Sequence, residues 1–246
     1  MGVGGKISLV FFMSGMFFLG QAQTKDSYDY NSEISFGINK NTSGGLIGGL
    51  TFKKARKLTE KLLETFGVEL MNVKNPQEVR SYAVTGNPFI YGKSNYLYAL
   101  RLQYGRDLIL FKKAPQQGVE IKLVTALGPS IGIVAPYYIQ RPADPTGNSF
   151  NTVNEQYNPN NPLDSYGNIL GTGNLFEGIG DSKIQLGGNA KVGLNFELGT
   201  SKSQVSGFEV GFLVDAYFHK IIMMPTTTNY AVFPTLYFTL FYGGRK

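Results

Sequence analysis

The sequence contains no cysteine and no tryptophan, and only one histidine among its 246 residues. Without cysteine, the chain has neither a structural disulfide nor a thiol that a bacterial lipoprotein would acylate. Charged residues make up 16% of the chain, which is low against the roughly 25% of soluble domains. No apolar run reaches the about 20 residues that a transmembrane helix needs. Attachment to a membrane would therefore have to come from the fold itself.

Glycine and ring residues are abundant, with 31 Gly, 18 Phe and 15 Tyr. This composition is typical of a chain built from strands and turns. The net charge of +6 is a modest excess, and no basic run is interleaved with aromatic residues. Binding of nucleic acid is therefore not expected.

The start of the chain has the pattern of a secretory signal peptide. Lys6 gives the positive start, residues 7–19 are apolar, and residues 20–22 (Gly-Gln-Ala) offer a cleavage site. We expect a signal peptide over 1–22, with cleavage after Ala22, and an exported domain over 23–246. The apolar stretch is marginal for crossing a bilayer.

From residue 31 onward, apolar and polar residues alternate. In the clearest case, segment 183–198, the even-numbered positions are mostly apolar and the odd-numbered positions mostly polar. A period of two indicates a β-strand with one apolar and one polar face. The alternation predicts eight strands, with ten as the alternative count. The expected strands cover residues 31–39, 45–54, 63–73, 93–105, 118–140, 183–198, 204–219 and 231–243.

Strands that follow one another in this way predict an all-β, antiparallel up-and-down barrel. If the exported domain starts on the periplasmic side, the longest connection, 141–182, lies outside. Long outer loops and short periplasmic turns are typical of outer-membrane barrels. The expected fold is an eight-stranded transmembrane β-barrel with one long extracellular loop.

A soluble lipocalin-type barrel would show the same alternation with its faces reversed. The polar face here combines many glycines with charges of both signs, which suits a narrow lumen in which ions must pair. We therefore expect a membrane barrel whose lumen is closed by paired charges, which excludes a porin-like channel. The expected lumen charge network consists of Glu33, Lys53, Glu69, Arg101, Glu120, Lys122, Lys191, Glu197, Glu209 and Asp215.

Ring residues near the strand ends support the membrane alternative. On the apolar face they fall into two groups that resemble interfacial girdles, with Tyr in place of Trp. The outer group is Tyr96, Tyr98, Tyr137 and Phe218, and the inner group is Tyr104, Phe196 and Tyr242.

The signal peptide, the eight strands, the long outer loop and the aromatic end LYFTLFYGGRK together resemble small outer-membrane barrels of the OmpA/OmpX type. The GQAQ end of the signal segment is similar to those of Bacteroidota. The resemblance implies a bacterial outer-membrane location. The resemblance does not identify any functional residue in this sequence.

The single histidine, His219, lies on the polar face four residues after Asp215. Outer-membrane acyltransferases and deacylases use a histidine with an acidic or serine partner, but this spacing separates the two side chains by roughly 13 Å. We therefore expect no catalytic residue and interpret His219 as a solvated rim residue. We expect no cofactor and no metal site, and we interpret the acidic residues of 141–182 as parts of a mobile loop.

The expected function is a non-enzymatic structural or interaction role in contact with outer-membrane lipid. Two alternatives stay open: an accessory subunit of an export, assembly or motility complex, and a lipid-modifying enzyme. Strand 118–140 is longer than the apolar band of a membrane needs. We expect its part after Pro129 to form a raised hairpin with the start of 183–198. A protein partner would then meet its apolar residues Ile131, Ile133, Tyr137 and Ile139.

A basic periplasmic rim is the second possible contact surface. Segment 53–63 within it could be a short amphipathic helix or a charged turn. The rim also includes Lys112, Lys113, Lys202, Arg245 and Lys246.

Overall fold

The computed structural model describes residues 30–246, except 45–47, 113–117, 145–150, 175–176 and 199–202. The expected signal peptide lies outside the described residues, as do Lys113 and Lys202 of the expected basic rim. In the described part of the chain, no helix is long and apolar enough to cross a bilayer.

The described residues form strands, short 3₁₀ helices and connecting loops. The 3₁₀ helices are Pro162–Asp164, Tyr166–Asn168 and Ile179–Asp181. The strands are β1 (Ser32–Asn41), β2 (Gly49–Lys57), β3 (Leu62–Val73), β4 (Arg80–Tyr82), β5 (Pro88–Ile90), β6 (Asn95–Phe111), β7 (Glu120–Pro136), β8 (Tyr138–Pro142), β9 (Thr152–Gln156), β10 (Gly171–Thr172), β11 (Lys183–Glu197), β12 (Gln204–Ile221) and β13 (Tyr230–Arg245).

Eight of these strands close into a barrel in the order β1-β13-β12-β11-β7-β6-β3-β2. Every neighbouring pair is antiparallel, and β13 closes the ring on β1. The predicted fold class and all eight predicted strands are confirmed. Connections 58–61, 112–119 and 198–203 join strands at one end of the barrel, the turn end. Connections 42–48, 74–94, 137–182 and 222–229 join strands at the other, the loop end, which therefore carries the two longest connections.

Strand boundaries differ from the prediction at several ends. β6 continues to Phe111, β13 continues to Arg245, and β7 stops at Pro136. Segment 53–63 contains no helix: β2 ends at Lys57, a short turn follows, and β3 begins at Leu62. The basic segment is thus a charged turn with strand on both sides.

The two faces of the barrel have opposite polarity. On β1, the apolar side chain of Phe36 is 62% exposed on the outside of the barrel. The nearby Glu33 and Ser35 face the lumen and are each 4% exposed. Leu127 of β7 and Ile184 of β11 repeat this pattern, at 66% and 68% exposed. An apolar exterior around a charged interior is the arrangement of a membrane barrel and the reverse of a soluble one.

The long predicted strand 118–140 is divided at Tyr137. Up to Val134, β7 pairs with the start of β11, but β8 pairs instead with β9 and β10 in a separate small sheet. Tyr137 and Ile139 are 1% and 0% exposed. Their expected exposure to a partner, and the place of Tyr137 in a lipid-facing girdle, were therefore wrong, because both side chains pack within the chain itself.

The closed ring predicts resistance to detergent. Unheated protein in dodecyl sulfate should migrate faster on a gel than boiled protein, because unfolding requires the simultaneous loss of ladder bonds on both sides of every strand. Urea-denatured protein that has not been refolded serves as the control. Identical migration of the heated and unheated samples would contradict the closed barrel.

Candidate functional site

The lumen layer nearest the turn end contains two cations and three carboxylates. Lys122 Nζ lies 3.2 Å from Glu33, 3.3 Å from Glu120 and 3.7 Å from Glu197. Arg245 contacts the same three carboxylates, at 3.2 Å from Glu33 and 3.4 Å from Glu120, and it donates two hydrogen bonds to Glu197. Each carboxylate therefore faces both cations.

The middle layer is built around Glu209 of β12. Its carboxylate accepts hydrogen bonds from Lys53 at 3.1 Å and from Tyr237 at 3.0 Å, and it forms an ion pair with Lys191 at 2.9 Å. Lys53 also donates to Asp107 at 3.0 Å. Tyr237 and Lys191 come from the strands next to β12, whereas Lys53 comes from β2, which is not a neighbour, so its contact with Glu209 crosses the lumen.

The layer toward the loop end is centred on Arg101 of β6. Its guanidinium Nε donates to Asp215 at 2.9 Å, and Nη1 donates to Glu69 at 3.3 Å. Ser130 donates to the same Asp215 carboxylate at 3.0 Å. Glu69 also accepts a hydrogen bond from Lys191 at 2.6 Å. The middle layer and the layer toward the loop end therefore form one network.

The structure brings all ten expected lumen charges into ion pairs within these three layers. Two members were missed, Asp107 and Arg245, because the predicted strands stopped at residues 105 and 243. The signal was present: lumen-facing positions continue at odd numbers from Arg101 to Asp107, and from Thr235 to Arg245.

Glycine makes room for one bulky member of the middle layer. The Tyr237 hydroxyl lies against the backbone of Gly193 and Gly211, where any added Cβ would collide with it. The ring of Tyr237 also lies under the Lys191 ammonium group, 4.4 Å from the centroid. Absence of a side chain at the two glycines thus lets the phenol reach Glu209.

Apolar clusters cover the charged layers at both ends of the lumen. At the turn end, Ala55, Leu63 and Ile109 pack with Tyr30. Between the ends, a cavity of about 30 Å³ has room for about one or two water molecules. The cluster at the loop end, the apolar plug, consists of Met71, Val73, Leu97, Ala99, Val134, Tyr217, Ile221, Met223, Met224 and Phe233.

Three connections at the loop end fold together into one body, the loop module, which consists of 74–94, 222–229 and the described residues of 137–182. It contains the β4-β5 hairpin and the three-stranded sheet β10-β8-β9. Its buried core consists of Phe89, Tyr137, Ile139, Tyr157 and Ile169.

Hydrogen bonds join the three connections to one another. The Ile90 amide donates to the Tyr137 hydroxyl at 2.9 Å, and the Thr85 hydroxyl donates to the Leu170 carbonyl at 2.7 Å. The Ser94 amide donates to the carbonyl of Met223 in the third connection at 2.8 Å. The module is therefore held by contacts between segments far apart in the sequence.

Charged pairs stabilise the module as well. Arg141 Nε lies 2.6 Å from Glu155 and 3.4 Å from Asp164. The hydrogen bond from Arg141 lowers the pKa of Glu155. Lys93 and Glu78, both almost fully buried, pair at 2.8 Å. In the described parts of 141–182, which the sequence analysis interprets as a mobile loop, the acidic residues Glu155, Asp164 and Glu177 have protein partners.

His219 is exposed at the loop end of β12. Asp215, four residues earlier, is 0% exposed, and its carboxylate is occupied by Arg101 and Ser130. The structure does not bring the histidine and this carboxylate together. Within the described residues, no group of three or more potential ligands is arranged to hold a metal ion.

Comparison with known proteins finds similarity only at the level of solved structures. No family model matches the chain, and no curated protein matches it. The crystal structure of Ail, the attachment invasion locus protein of Yersinia pestis, aligns at a TM-score of 0.42 and 10% identity over 89% of this chain and 99% of Ail. Neisserial surface protein A (NspA) aligns at a TM-score of 0.36 and 11% identity over 89% of this chain and 98% of NspA.

Substitution of Arg101 tests the charged lumen. Arg101→Met should destabilise the folded barrel by about 3–5 kcal/mol, because it leaves the buried Asp215 carboxylate without its cation. The measurement is urea unfolding in lipid vesicles. The control Lys112→Met breaks an exposed pair with Glu60 and should change stability little.

A double variant separates charge from side-chain volume. Arg101→Met combined with Asp215→Leu should recover much of the lost stability, because no unpaired ion then remains at this site. Equal destabilisation in the single and double variants would contradict the ion-pairing explanation.

Conductance provides a second test of the lumen. Planar-bilayer recordings of the purified protein should show no stable channel current, because the ion-pair layers and the apolar plug fill the lumen and eight strands leave space mainly for side chains. A porin inserted into the same bilayer is the positive control. A steady, large current from this protein would show that the lumen is open.

Proposed function

We propose that this chain is a non-enzymatic bacterial outer-membrane β-barrel protein with a structural or interaction role, exerted through the loop module. The observation that carries the proposal is the folding of three connections into one body on top of a plugged lumen. A barrel that conducted solutes would need an open path instead. The apolar exterior supports contact with outer-membrane lipid, and the GQAQ segment supports a Bacteroidota source.

The module presents an exposed apolar and aromatic surface, the hairpin patch, formed by Tyr82, Val84, Tyr91 and Tyr166. Val84 at the tip of the β4-β5 hairpin is 97% exposed, and Tyr82 is 62% exposed. The rings of Tyr91 and Tyr166 lie 5.4 Å apart, edge to face. Such residues favour contact with another macromolecule, because they offer rigid apolar area with a polar tip.

A role as accessory subunit of an export, assembly or motility complex is compatible with the same surface, because the other subunits of the complex would then be the partners that bind it. The basic turn end, with Lys61 and Lys112 exposed, is the second possible contact surface. The hairpin patch is the better candidate because it is apolar and fixed in orientation by the folded core beneath it.

A lipid-modifying enzyme is less well supported. Catalysis by a histidine requires a base, an orienting partner and a nucleophile within hydrogen-bond reach. The exposed His219 and the occupied Asp215 do not provide this arrangement. Release of fatty acid from outer-membrane lipid by the purified barrel, lost in His219→Ala, would overturn the non-enzymatic proposal.

Site-specific crosslinking tests the interaction surface. A photoreactive phenylalanine analogue at Val84 or Tyr166 should give a discrete protein adduct in intact cells, whereas the same group at Lys61 should not. Tyr91→Ser should weaken the Tyr166 adduct by removing the neighbouring ring. Adducts from Lys61 alone would assign the contact to the turn end and contradict the hairpin patch.

A further inference from the structure

The barrel wall has an opening between β11 and β12 at the loop end. The ladder between these strands begins with Gly187 opposite Tyr217, yet β11 starts at Lys183 and β12 continues to Ile221. Residues 183–186 of β11 and 218–221 of β12 therefore do not pair with each other. We call this opening the lateral notch.

The opening coincides with an irregular stretch at the loop end of β12. Its pairing with β13 is regular up to Ala216 opposite Val232, and the register then shifts before Ile221 meets Tyr230. The same stretch of β12 that is irregular against β13, residues 218–221, has no pairing with β11. The start of β11 stays in place because it remains paired with β7, with Lys183 opposite Val134.

A cavity of about 460 Å³ lies at the notch, a volume that suits a small-molecule group. Side chains from the loop module form part of its lining. Gln156 donates to Asn95 Oδ1 at 2.9 Å, and Asn95 donates to the Ile222 carbonyl at 2.8 Å. These hydrogen bonds fix part of the lining, so the cavity is built by the fold.

Lysines stand on both sides of the cavity, Lys183 on β11 and Lys220 on β12. Both are exposed, and within the described residues neither forms an ion pair. Among the described residues of the lining, Asp181 is the single carboxylate. The cavity therefore carries an excess of positive charge that a ligand with an anionic group would complement.

Large apolar side chains lie at the edge of the notch on the outside of the barrel, with Ile184 on the strand face opposite Lys183. Phe218 is 79% exposed and Ile184 is 68% exposed, and Ile222 is 54% exposed. The strand edges at the notch lack a partner strand, and unpaired backbone groups are costly in hydrocarbon. The notch therefore belongs at the level of the lipid headgroups, where apolar and anionic ligand groups meet.

We propose that the lateral notch binds an anionic, phosphate-bearing membrane lipid, with its phosphate between Lys183 and Lys220 and its acyl chain against Ile184 and Phe218. Both requirements, positive charge in a preformed cavity and adjacent apolar surface, are met by one amphiphile. A free anion would use only the lysines, and a peptide strand would use only the unpaired edges.

The test is native mass spectrometry of the full barrel in zwitterionic micelles with added phosphatidylglycerol or phosphatidylcholine. The wild type should retain phosphatidylglycerol in preference to phosphatidylcholine. Lys183→Gln/Lys220→Gln should weaken phosphatidylglycerol retention at least about tenfold. The charge-matched control Lys61→Gln/Lys112→Gln should retain it as the wild type does. The heat-dependent gel shift verifies that each variant is folded.

Two further arms identify the ligand's source. Ile184→Ser/Phe218→Ser should also weaken retention, and excess inorganic phosphate should not displace the lipid. Displacement by phosphate, or equal losses in the notch and control variants, would overturn the proposal. A photocrosslinker at Gln185 that labels a polypeptide instead of lipid would overturn it as well, because the notch would then accept a strand.

Discussion

An ion placed inside an eight-stranded barrel has little water to solvate it, so it needs a counter-ion from another part of the wall. The rest of this structure depends on that constraint. Lys53 of β2 reaches Glu209 of β12, and Lys122 of β7 reaches Glu33 of β1. None of these strand pairs is adjacent in the sheet. The ion pairs therefore act as ties across the lumen and complement the ladder bonds that join neighbours.

The parts of the fold that could be predicted are those governed by a local rule. Alternation along a strand depends only on which face each residue presents, so it located all eight barrel strands and the lumen charges Arg101 and Lys191. It failed at strand ends, because the consecutive charges Arg106 and Asp107 interrupt the alternation in β6 and Arg245 follows two glycines in β13. The exterior and interior could be distinguished because a narrow lumen and a solvated surface require different side chains.

The loop module could not be predicted, because no local period describes it. Phe89, Ile139 and Ile169 form one core although they belong to separate segments with unremarkable composition. Met223 joins this body to the barrel, since its side chain lies in the apolar plug while its carbonyl accepts from Ser94. Buried contacts thus connect the hairpin patch to the barrel. The packing of the apolar plug therefore sets the orientation of the patch relative to the membrane.

The position of Arg245 links charge neutralisation to ring closure. Arg245 lies on β13, the strand that pairs with β1 to complete the barrel, and its partners Glu33, Glu120 and Glu197 belong to three other strands. A sheet that has formed all its other pairings but has not docked β13 would hold these carboxylates with Lys122 alone. Such an open sheet carries an electrostatic penalty that the final pairing removes. The barrel therefore has a built-in preference for closing in one cooperative step, with partly assembled sheets disfavoured as resting states.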